Sequence, residues 1–248
     1  MKFHRKTFGI IIIGNEILSG KTLDTNSNLI NKELNNIGMI CKEVVVIPDE
    51  KKIICEKVNL YRETFDFVFT TGGIGPTHDD ITAEAISLAF NDPLELNDEA
   101  KKRIEKHYSD DVVTKARLKM AYIPSSAFLI DNPVSIAPGF YLENVYVFPG
   151  IPKILEVMLH NLLKDLKSSK KFVKKIITTT LSEGLIGEYL GKVQKDFSDL
   201  EIGSYPYFKN NSFGVSLVIT GDLQERVDEA SKKIFEYLKK NNGEPRLF

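Results

Sequence analysis

The chain has 248 residues, 42% of them hydrophobic, which is enough to bury the core of one large domain or two modest ones. Its 33 basic and 34 acidic side chains give a formal net charge of −1 at pH 7, which argues against nucleic acid or an acidic membrane as its main partner. The short apolar run near the N-terminus meets polar residues too soon for a signal peptide, and no segment approaches membrane-spanning length, so we expect a cytoplasmic protein.

Strand and helix patterns alternate through the first half of the chain. The predicted elements are, in order, the strand GIIII, a helix that Asp24 or Thr25 can cap, the strand ICKEVVVIP, the helix DEKKIICEKVNLYRET, the strand FDFVFTT and a helix through DDITAEAISLAF. The continuous β-branched run of the first strand is typical of a strand buried on both faces. Strands separated by helices of this length predict right-handed crossovers and a parallel sheet.

The rest of the chain predicts one more buried strand, in NVYVFPG, and then a smaller domain. The helix in IPKILEVMLHNLLKDL follows that strand, and the polar, basic stretch KSSKK at 167–171 suits a linker. Beyond it, the order strand, helix, strand, strand, helix predicts a small antiparallel α+β domain. We therefore expect a three-layer α/β/α sandwich with a mostly parallel sheet over residues 1–168, followed by a small C-terminal α+β domain over residues 169–248.

Residues 8–26, FGIIIIGNEILSGKTLDTN, contain a Gly-Lys-Thr triplet that invites comparison with a phosphate-binding P-loop. A P-loop has four residues between its first glycine and the Gly-Lys-Thr triplet, whereas five residues intervene here. A carboxylate and bulky aliphatic side chains would also oppose the curled backbone of a phosphate cradle. The loop is therefore not a P-loop, and any chemistry must come from Glu16, Asp24 and Asn26.

The stretch TTGGIGPTHDDIT at 70–82 is the strongest candidate for a ligand site. Its glycines follow directly on a buried strand, and a helix is predicted to begin within a few residues. Glycines let the backbone approach a ligand closely, and a helix N-terminus favours anions. Such a turn at the carboxyl end of a parallel strand predicts a phosphate seat.

Two adjacent carboxylates, Asp79 and Asp80, stand near the predicted start of that helix. One of them could simply cap the helix. Both would repel a phosphate, and a divalent cation such as Mg²⁺ resolves the conflict because it binds carboxylates together with substrate phosphates. Glu84 lies four residues after Asp80 and so on the same helical face. We expect metal or ligand contact at Asp80, whereas capping and metal binding are equal alternatives for Asp79.

Together these segments resemble the signature loops of the molybdopterin-binding (MoaB/MogA-like) superfamily. GNEILSGKTLDTN and TTGGIGPTHDDIT resemble the loops of the N-terminal domain of the competence/damage-inducible protein CinA, and NPVSIAPGF and EIGSYPYF follow in the expected order. KMAYIPSSA and NVYVFPGIP resemble more closely the molybdopterin-binding-like N-terminal region of eukaryotic FAD synthases. The resemblance covers essentially the whole chain.

The resemblance implies a ligand pocket between the first loop and the glycine turn. Molybdenum-cofactor members of the superfamily bind molybdopterin and adenylylate it or process the adenylylated form. The CinA and FAD synthase branch contains metal-dependent hydrolases of nucleotide diphosphates such as ADP-ribose or FAD, and we expect a hydrolase of this kind. The implied ligand is a nucleotide or pterin, the implied cofactor is Mg²⁺ or another divalent cation, and a homo-oligomer is expected by analogy.

The resemblance also assigns roles to individual residues. Asp80 matches the aspartate that closes the GGxGPTxDD motif, and Asp49, in VIPDE, matches a second acidic site, so these two are the catalytic candidates. The implied metal ligands are Asp80, Asp79 and Asp24. The implied ligand-binding residues are Gly72, Gly73, Gly75, Thr77, Asn26, Lys119 and Glu16.

Several of these residues have structural alternatives. Asp49 and Asp24 could each cap the helix that follows them, and Glu16 could be merely solvated. Two departures from the CinA pattern, Ile136 in place of threonine and Met120 in place of glutamine, keep a non-catalytic nucleotide-binding module open as a further alternative. Because the amidohydrolase domain of CinA and the adenylyltransferase domain of FAD synthase have no counterpart in the sequence, we expect neither activity.

Overall fold

The computed structural model describes residues 5–108, 112–135, 137–166, 173–209 and 212–248. The chain divides into two compact units, residues 1–169 and 170–248. Among the described residues, none of the helices combines the length and the apolar character that crossing a bilayer requires.

In the first unit, strands and helices alternate through most of the chain. The strands are β1 (Thr7–Ile13), β2 (Ile40–Ile47), β3 (Phe67–Thr71), β4 (Leu94–Leu96), β5 (Tyr122–Pro124), β6 (Phe128–Ile130), β7 (Gly139–Leu142) and β8 (Val145–Phe148). The helices are α1 (Asn15–Leu18), α2 (Asn26–Asn36), α3 (Lys51–Thr64), α4 (Thr82–Phe90), α5 (Asp98–His107), α6 (Lys115–Lys119) and α7 (Pro152–Asp165).

The central sheet of this unit has, within the described residues, the strand order β2-β1-β3-β8-β7-β6. The pairs β1–β2, β1–β3 and β3–β8 are parallel, which confirms the predicted parallel core. The pairs β8–β7 and β7–β6 are antiparallel, and β4 and β5 form a separate antiparallel ribbon. The sheet is therefore mostly parallel with an antiparallel edge.

The alternation of side chains along β1 explains why helices cover both faces of the sheet. Ile10 belongs to a buried cluster with Leu34 of α2 and Leu155 of α7. The next residue, Ile11, points the opposite way and belongs to a second buried cluster that includes Ile54 of α3 and residues of α4. The β-branched run is thus buried on both faces, and the predicted three-layer α/β/α sandwich is confirmed.

The second unit is a separate α+β fold. Its elements are β9 (Val173–Thr179), α8 (Glu183–Asp196), β10 (Glu201–Lys209), β11 (Ser212–Gly221), α9 (Gln224–Lys240) and β12 (Arg246–Leu247). The sheet order is β10-β11-β9-β12, and all of these pairs are antiparallel, as predicted. Its buried cluster joins Leu217 of the sheet to Ile186 of α8 and Ile234 of α9. The predicted linker at 167–171 lies outside the described residues.

Candidate active site

The glycine turn after β3 is fixed to the sheet by Gly72. This residue has a φ of 109°, and a Cβ atom there would lie 2.0 Å from the carbonyl oxygen of Ile13, so no other residue fits. The Gly72 N–H donates to the carbonyl of Phe148 at 3.1 Å, and its own carbonyl accepts from Thr82 Oγ1 at 3.0 Å. Because its N–H already donates to Phe148, Gly72 supports the turn and does not offer this donor to a ligand.

Asp79 and Asp80 close this turn and precede the helix that was predicted to include them. Helix α4 begins at Thr82, with Ile81 at its N-cap, so neither carboxylate caps it. Asp80 Oδ2 accepts from the Thr77 N–H at 2.7 Å and from Thr77 Oγ1 at 2.5 Å. Thr77 Oγ1 also lies 2.6 Å from Asp79 Oδ1, and this hydrogen bond lowers the pKa of the exposed Asp79. Thr77 therefore positions both carboxylates.

Lys119, at the end of α6, reaches the same turn from 42 residues further along the chain. Its Nζ donates to the carbonyl of Thr77 at 2.6 Å. This contact holds a positive charge beside the two carboxylates and so places cationic and anionic groups at one edge of the sheet.

A cleft of about 240 Å³ lies beside the turn and is lined by both polar and apolar residues. Its polar lining consists of Gly73, Gly75, Asp80, Glu84 and Lys119. Its apolar lining consists of Ile74, Ala83, Leu94, Met120, Tyr122, Ile123, Pro138 and Phe140. The side chain of Glu84 is partly exposed and forms an ion pair with Lys51. A Cβ atom at Gly75 would lie 2.7 Å from Asp80 Oδ2, so a larger residue at this position would displace the carboxylate that Thr77 holds.

The other predicted ligand residues line a second, smaller pocket of about 50 Å³, to which Glu16, Asp24, Asn26 and Gly72 contribute. Asp24 Oδ1 accepts from the N–H groups of Asn26 at 2.9 Å and Ser27 at 3.0 Å, and its Oδ2 accepts from the Ser27 hydroxyl. Asp24 thus binds two N–H groups at the start of α2, in the way its capping alternative predicts, although the N-cap residue itself is Thr25. The exposed Glu16 carboxylate lies at the mouth of this pocket.

Asn26 connects this pocket to the ends of β3 and β8. Its side chain is only 7% exposed, and its Nδ2 donates to Gly150 O at 2.8 Å and to Thr71 Oγ1 at 2.9 Å. Its Oδ1 is buried and has no hydrogen-bond partner among the described residues. Asn26 thus links the start of α2 to the ends of these two strands.

Asp49 lies between the first loop and the glycine turn. Its Oδ2 accepts from the backbone N–H of Asn15 at 2.9 Å, which fixes the start of α1. Its Oδ1 is 3.5 Å from the position that a Cβ atom would occupy at Gly73. The N-cap residue of α3 is Glu50, and within the part of the chain that the structure describes no side chain caps this helix, so the capping alternative for Asp49 is wrong.

The described residues contain no group of three or more histidine, cysteine, aspartate or glutamate side chains arranged to hold a metal ion. Of the three predicted metal ligands, Asp79 and Asp80 share Thr77, whereas Asp24 lines the smaller pocket. Asp80 and Glu84 both line the larger cleft. Such a pair suits Mg²⁺, which is commonly held by one or two carboxylates together with substrate phosphates.

The apolar lining residues of the cleft were not predicted as part of the site. Tyr122, Pro138 and Phe140 come from different strands and loops, and only folding brings them together. The one available signal was the resemblance of KMAYIPSSA to FAD synthases, since this segment contains Met120 and Tyr122. Ile136, where the CinA pattern has threonine, lies outside the described residues.

Comparisons with known proteins show the family to which the chain belongs. Residues 9–168 match the family described as "Probable molybdopterin binding domain", and residues 171–244 match "FAD synthase, middle domain". A protein from Archaeoglobus fulgidus is 35% identical over 231 residues, which are 93% of this chain and 97% of that protein. A "Probable FAD synthase" from Caenorhabditis briggsae is 32% identical over 260 residues, which cover 94% of this chain and 50% of that protein.

Among solved structures, the protein CinA of unknown function from Thermoplasma acidophilum aligns with a TM-score of 0.61 and 36% identity. The alignment covers 64% of this chain and 98% of the CinA chain. The family match, the close relatives and this shared fold lead to one conclusion. The chain belongs to the molybdopterin-binding domain family and is of the CinA type, with relatives among the FAD synthases.

Proposed function

We propose that this chain is a nucleotide pyrophosphatase that depends on a divalent cation and hydrolyses a diphosphate such as that of ADP-ribose or FAD. The observation that carries the proposal is the cleft in which Asp80, Glu84 and Lys119 meet the glycine turn. The turn leaves the carboxyl end of a parallel strand, where open α/β sheets bind their ligands.

The donors in the cleft suit a cation that arrives with its substrate. Asp80 and Glu84 would hold it, and when bound it would neutralise phosphate charge and make a water molecule more acidic. Lys119 would offset further negative charge of the phosphates. Its Nζ is suitably placed, because the Thr77 carbonyl holds it beside the glycine turn. Since Lys51 pairs with Glu84, Glu84 would exchange one cationic partner for another.

The proposed reaction needs a base for the attacking water. The water oxygen would bond to one phosphorus, the bond from that phosphorus to the bridging oxygen would break, and two monophosphates would leave. Asp49 would accept the proton from the water. Its Oδ1 is the candidate atom because its Oδ2 is engaged by the Asn15 N–H, and it lies on the side facing Gly73.

The relatives support a dinucleotide as the substrate class. One relative carries the name FAD synthase, and the second unit of this chain matches the middle domain of FAD synthases. A second candidate function, binding or adenylylation of molybdopterin, is favoured by the family match over residues 9–168. Both functions need a binding site for a phosphate anion and a cation that carboxylates hold. They differ in whether a diphosphate bond of a dinucleotide is cleaved.

The deciding experiment is a hydrolysis assay with ADP-ribose, FAD, NAD and ATP, run with Mg²⁺ and with EDTA. We expect release of AMP only with Mg²⁺, and a loss of about 100-fold or more in kcat for Asp80→Ala. Asp131→Ala is the matched control, because Asp131 is an exposed aspartate that pairs with Arg103 outside the cleft. If none of the four substrates is hydrolysed, the pyrophosphatase proposal is refuted. Tight binding of a pterin phosphate by such an inactive protein would favour the second candidate function.

A further inference from the structure

We propose that the apolar lining of the cleft holds the planar ring system of the ligand, and that Tyr122 stacks on this ring. The inference rests on the proposed function and deepens it, because it assigns the ring of the ligand to the apolar lining residues and the phosphates to the polar ones. It also makes Tyr122 a determinant of specificity for ligands that carry a ring.

The chemistry of the lining matches the two chemical parts of a nucleotide. Gly75, Asp80 and Lys119 offer backbone, a carboxylate and a cation, which suit a phosphate with its metal ion. The rest of the lining is mostly aliphatic, aromatic and proline side chains, which have no charge to offer a phosphate. A flat heterocycle has apolar faces that such a side chain surface can cover.

Tyr122 differs from the other aromatic residue of this wall in its exposure. Phe140 is 1% exposed and Ile123 is 3% exposed, so both belong to the buried core and form the floor of the cleft. Tyr122 is 40% exposed and lines the same cleft. Its ring is therefore open to a ligand, and an aromatic face is the usual platform for stacking a base.

One short segment contributes to both the polar and the apolar lining of the cleft. Lys119 ends α6 and contacts the glycine turn, Met120 follows as an apolar lining residue, and Tyr122 begins β5. β5 is in turn fixed by β4, where Tyr122 is paired with Leu96. The cationic group and the stacking ring are thus held three residues apart, which suits a ring joined to its own phosphate.

The size of the cleft limits how much of a ligand it takes. Its volume of about 240 Å³ is below the roughly 300–1,000 Å³ of pockets that enclose a whole drug-sized ligand. It therefore accommodates one ring and the adjoining phosphate of a dinucleotide, and the other half lies outside. Mononucleotides such as AMP and FMN are for this reason the appropriate probes.

The test is isothermal titration calorimetry in Mg²⁺ with AMP, FMN and inorganic pyrophosphate. We expect Tyr122→Ala to raise the Kd of AMP and FMN about tenfold and to leave the Kd of pyrophosphate unchanged. Tyr122→Phe keeps the stacking face and should bind like the wild type. Phe128→Ala is the control, because Phe128 is a 62% exposed aromatic residue on a short strand outside the cleft.

The outcomes separate this inference from the proposed function. Equal losses for all three probes would show a merely structural role for Tyr122, and unchanged affinities would show no role, so either result overturns the inference. Failure of the wild type to bind AMP and FMN overturns it as well. Tyr122-dependent binding without any hydrolysis would retain the ring site and reject the pyrophosphatase, whereas hydrolysis that Tyr122→Ala leaves untouched would do the reverse.

Discussion

Replacing Asn26 should loosen the carboxyl edge of the sheet. Its Nδ2 donates to Gly150 O at 2.8 Å and to Thr71 Oγ1 at 2.9 Å, and the side chain is only 7% exposed. Asn26→Ala removes both hydrogen bonds and leaves the Gly150 carbonyl without this donor. Because water cannot easily replace a buried donor, the loss should exceed that of an exposed hydrogen bond.

The expected loss is about 2 kcal/mol in the free energy of unfolding of the first unit. For a unit of this size that loss lowers Tm by about 4 to 8 °C. Asn26→Asp should be worse at neutral pH, because a carboxylate cannot donate to Gly150 and burial raises the pKa of the new carboxyl group. Its penalty should shrink as the pH falls toward about 4, where the protonated group can donate again.

Differential scanning calorimetry measures Tm, and hydrogen exchange in β3 and α2 assigns the change to the first unit. Asn28→Ala is the matched control, because Asn28 is exposed on the same helix and should leave Tm nearly unchanged. A Tm for Asn26→Ala that equals that of Asn28→Ala would refute the structural role assigned to Asn26. A constant penalty for Asn26→Asp between pH 4 and pH 8 would refute the argument about its buried charge.

Two further predictions concern the glycine turn and the start of the sheet. In Gly75→Ala the new Cβ would lie 2.7 Å from Asp80 Oδ2, so we expect kcat to fall about tenfold or more with the fold retained. Gly187→Ala, on an open face of α8, is the control, and equal kcat values for the two variants would contradict the proposed role of Asp80. Burial by itself would raise the pKa of Asp66. The hydrogen bonds from Lys6 Nζ at 2.6 Å and from the Thr7 N–H at 2.8 Å outweigh this effect, so the pKa of Asp66 is lowered. Asp66→Asn should therefore cost about 1 kcal/mol at pH 7. This difference should be retained down to about pH 4 and shrink below it, as the pH falls through the lowered pKa of the wild-type carboxyl group. Urea unfolding between pH 7 and pH 2 checks it, and a difference that stays constant over that range would contradict it.

The order of the elements and the parallel core were predictable because their signals are local. A β-branched run such as residues 9–13 fits only a strand that is covered on both faces, and helices of the observed length between strands impose parallel crossovers. The antiparallel order of the second unit followed in the same way from adjacent strands. The antiparallel edge formed by β6 and β7 was not predicted, because the strands are short and their pairing depends on the rest of the sheet.

The candidate site was predicted in part. The glycine turn and Asp80 were recognised from one stretch of sequence, and Lys119 was recognised through the family resemblance. The sequence did not show that Thr77 binds both neighbouring carboxylates, nor that α4 begins only at Thr82. Hydrogen bonds within a turn depend on its backbone angles, which the local residue types do not fix on their own.

By itself, the sequence determined the two kinds of fold, the position of the glycine turn and the set of acidic residues near it, since each of these depends on neighbouring residues. The tertiary structure alone decided how those residues are distributed. It placed Asp24 and Asn26 in one pocket and Asp80 and Lys119 in another, and it gave the second a wall that includes Tyr122 and Phe140. Residues so far apart along the chain meet only when the sheet and its helices pack, so no local pattern could reveal a cleft lined by both charged and apolar residues.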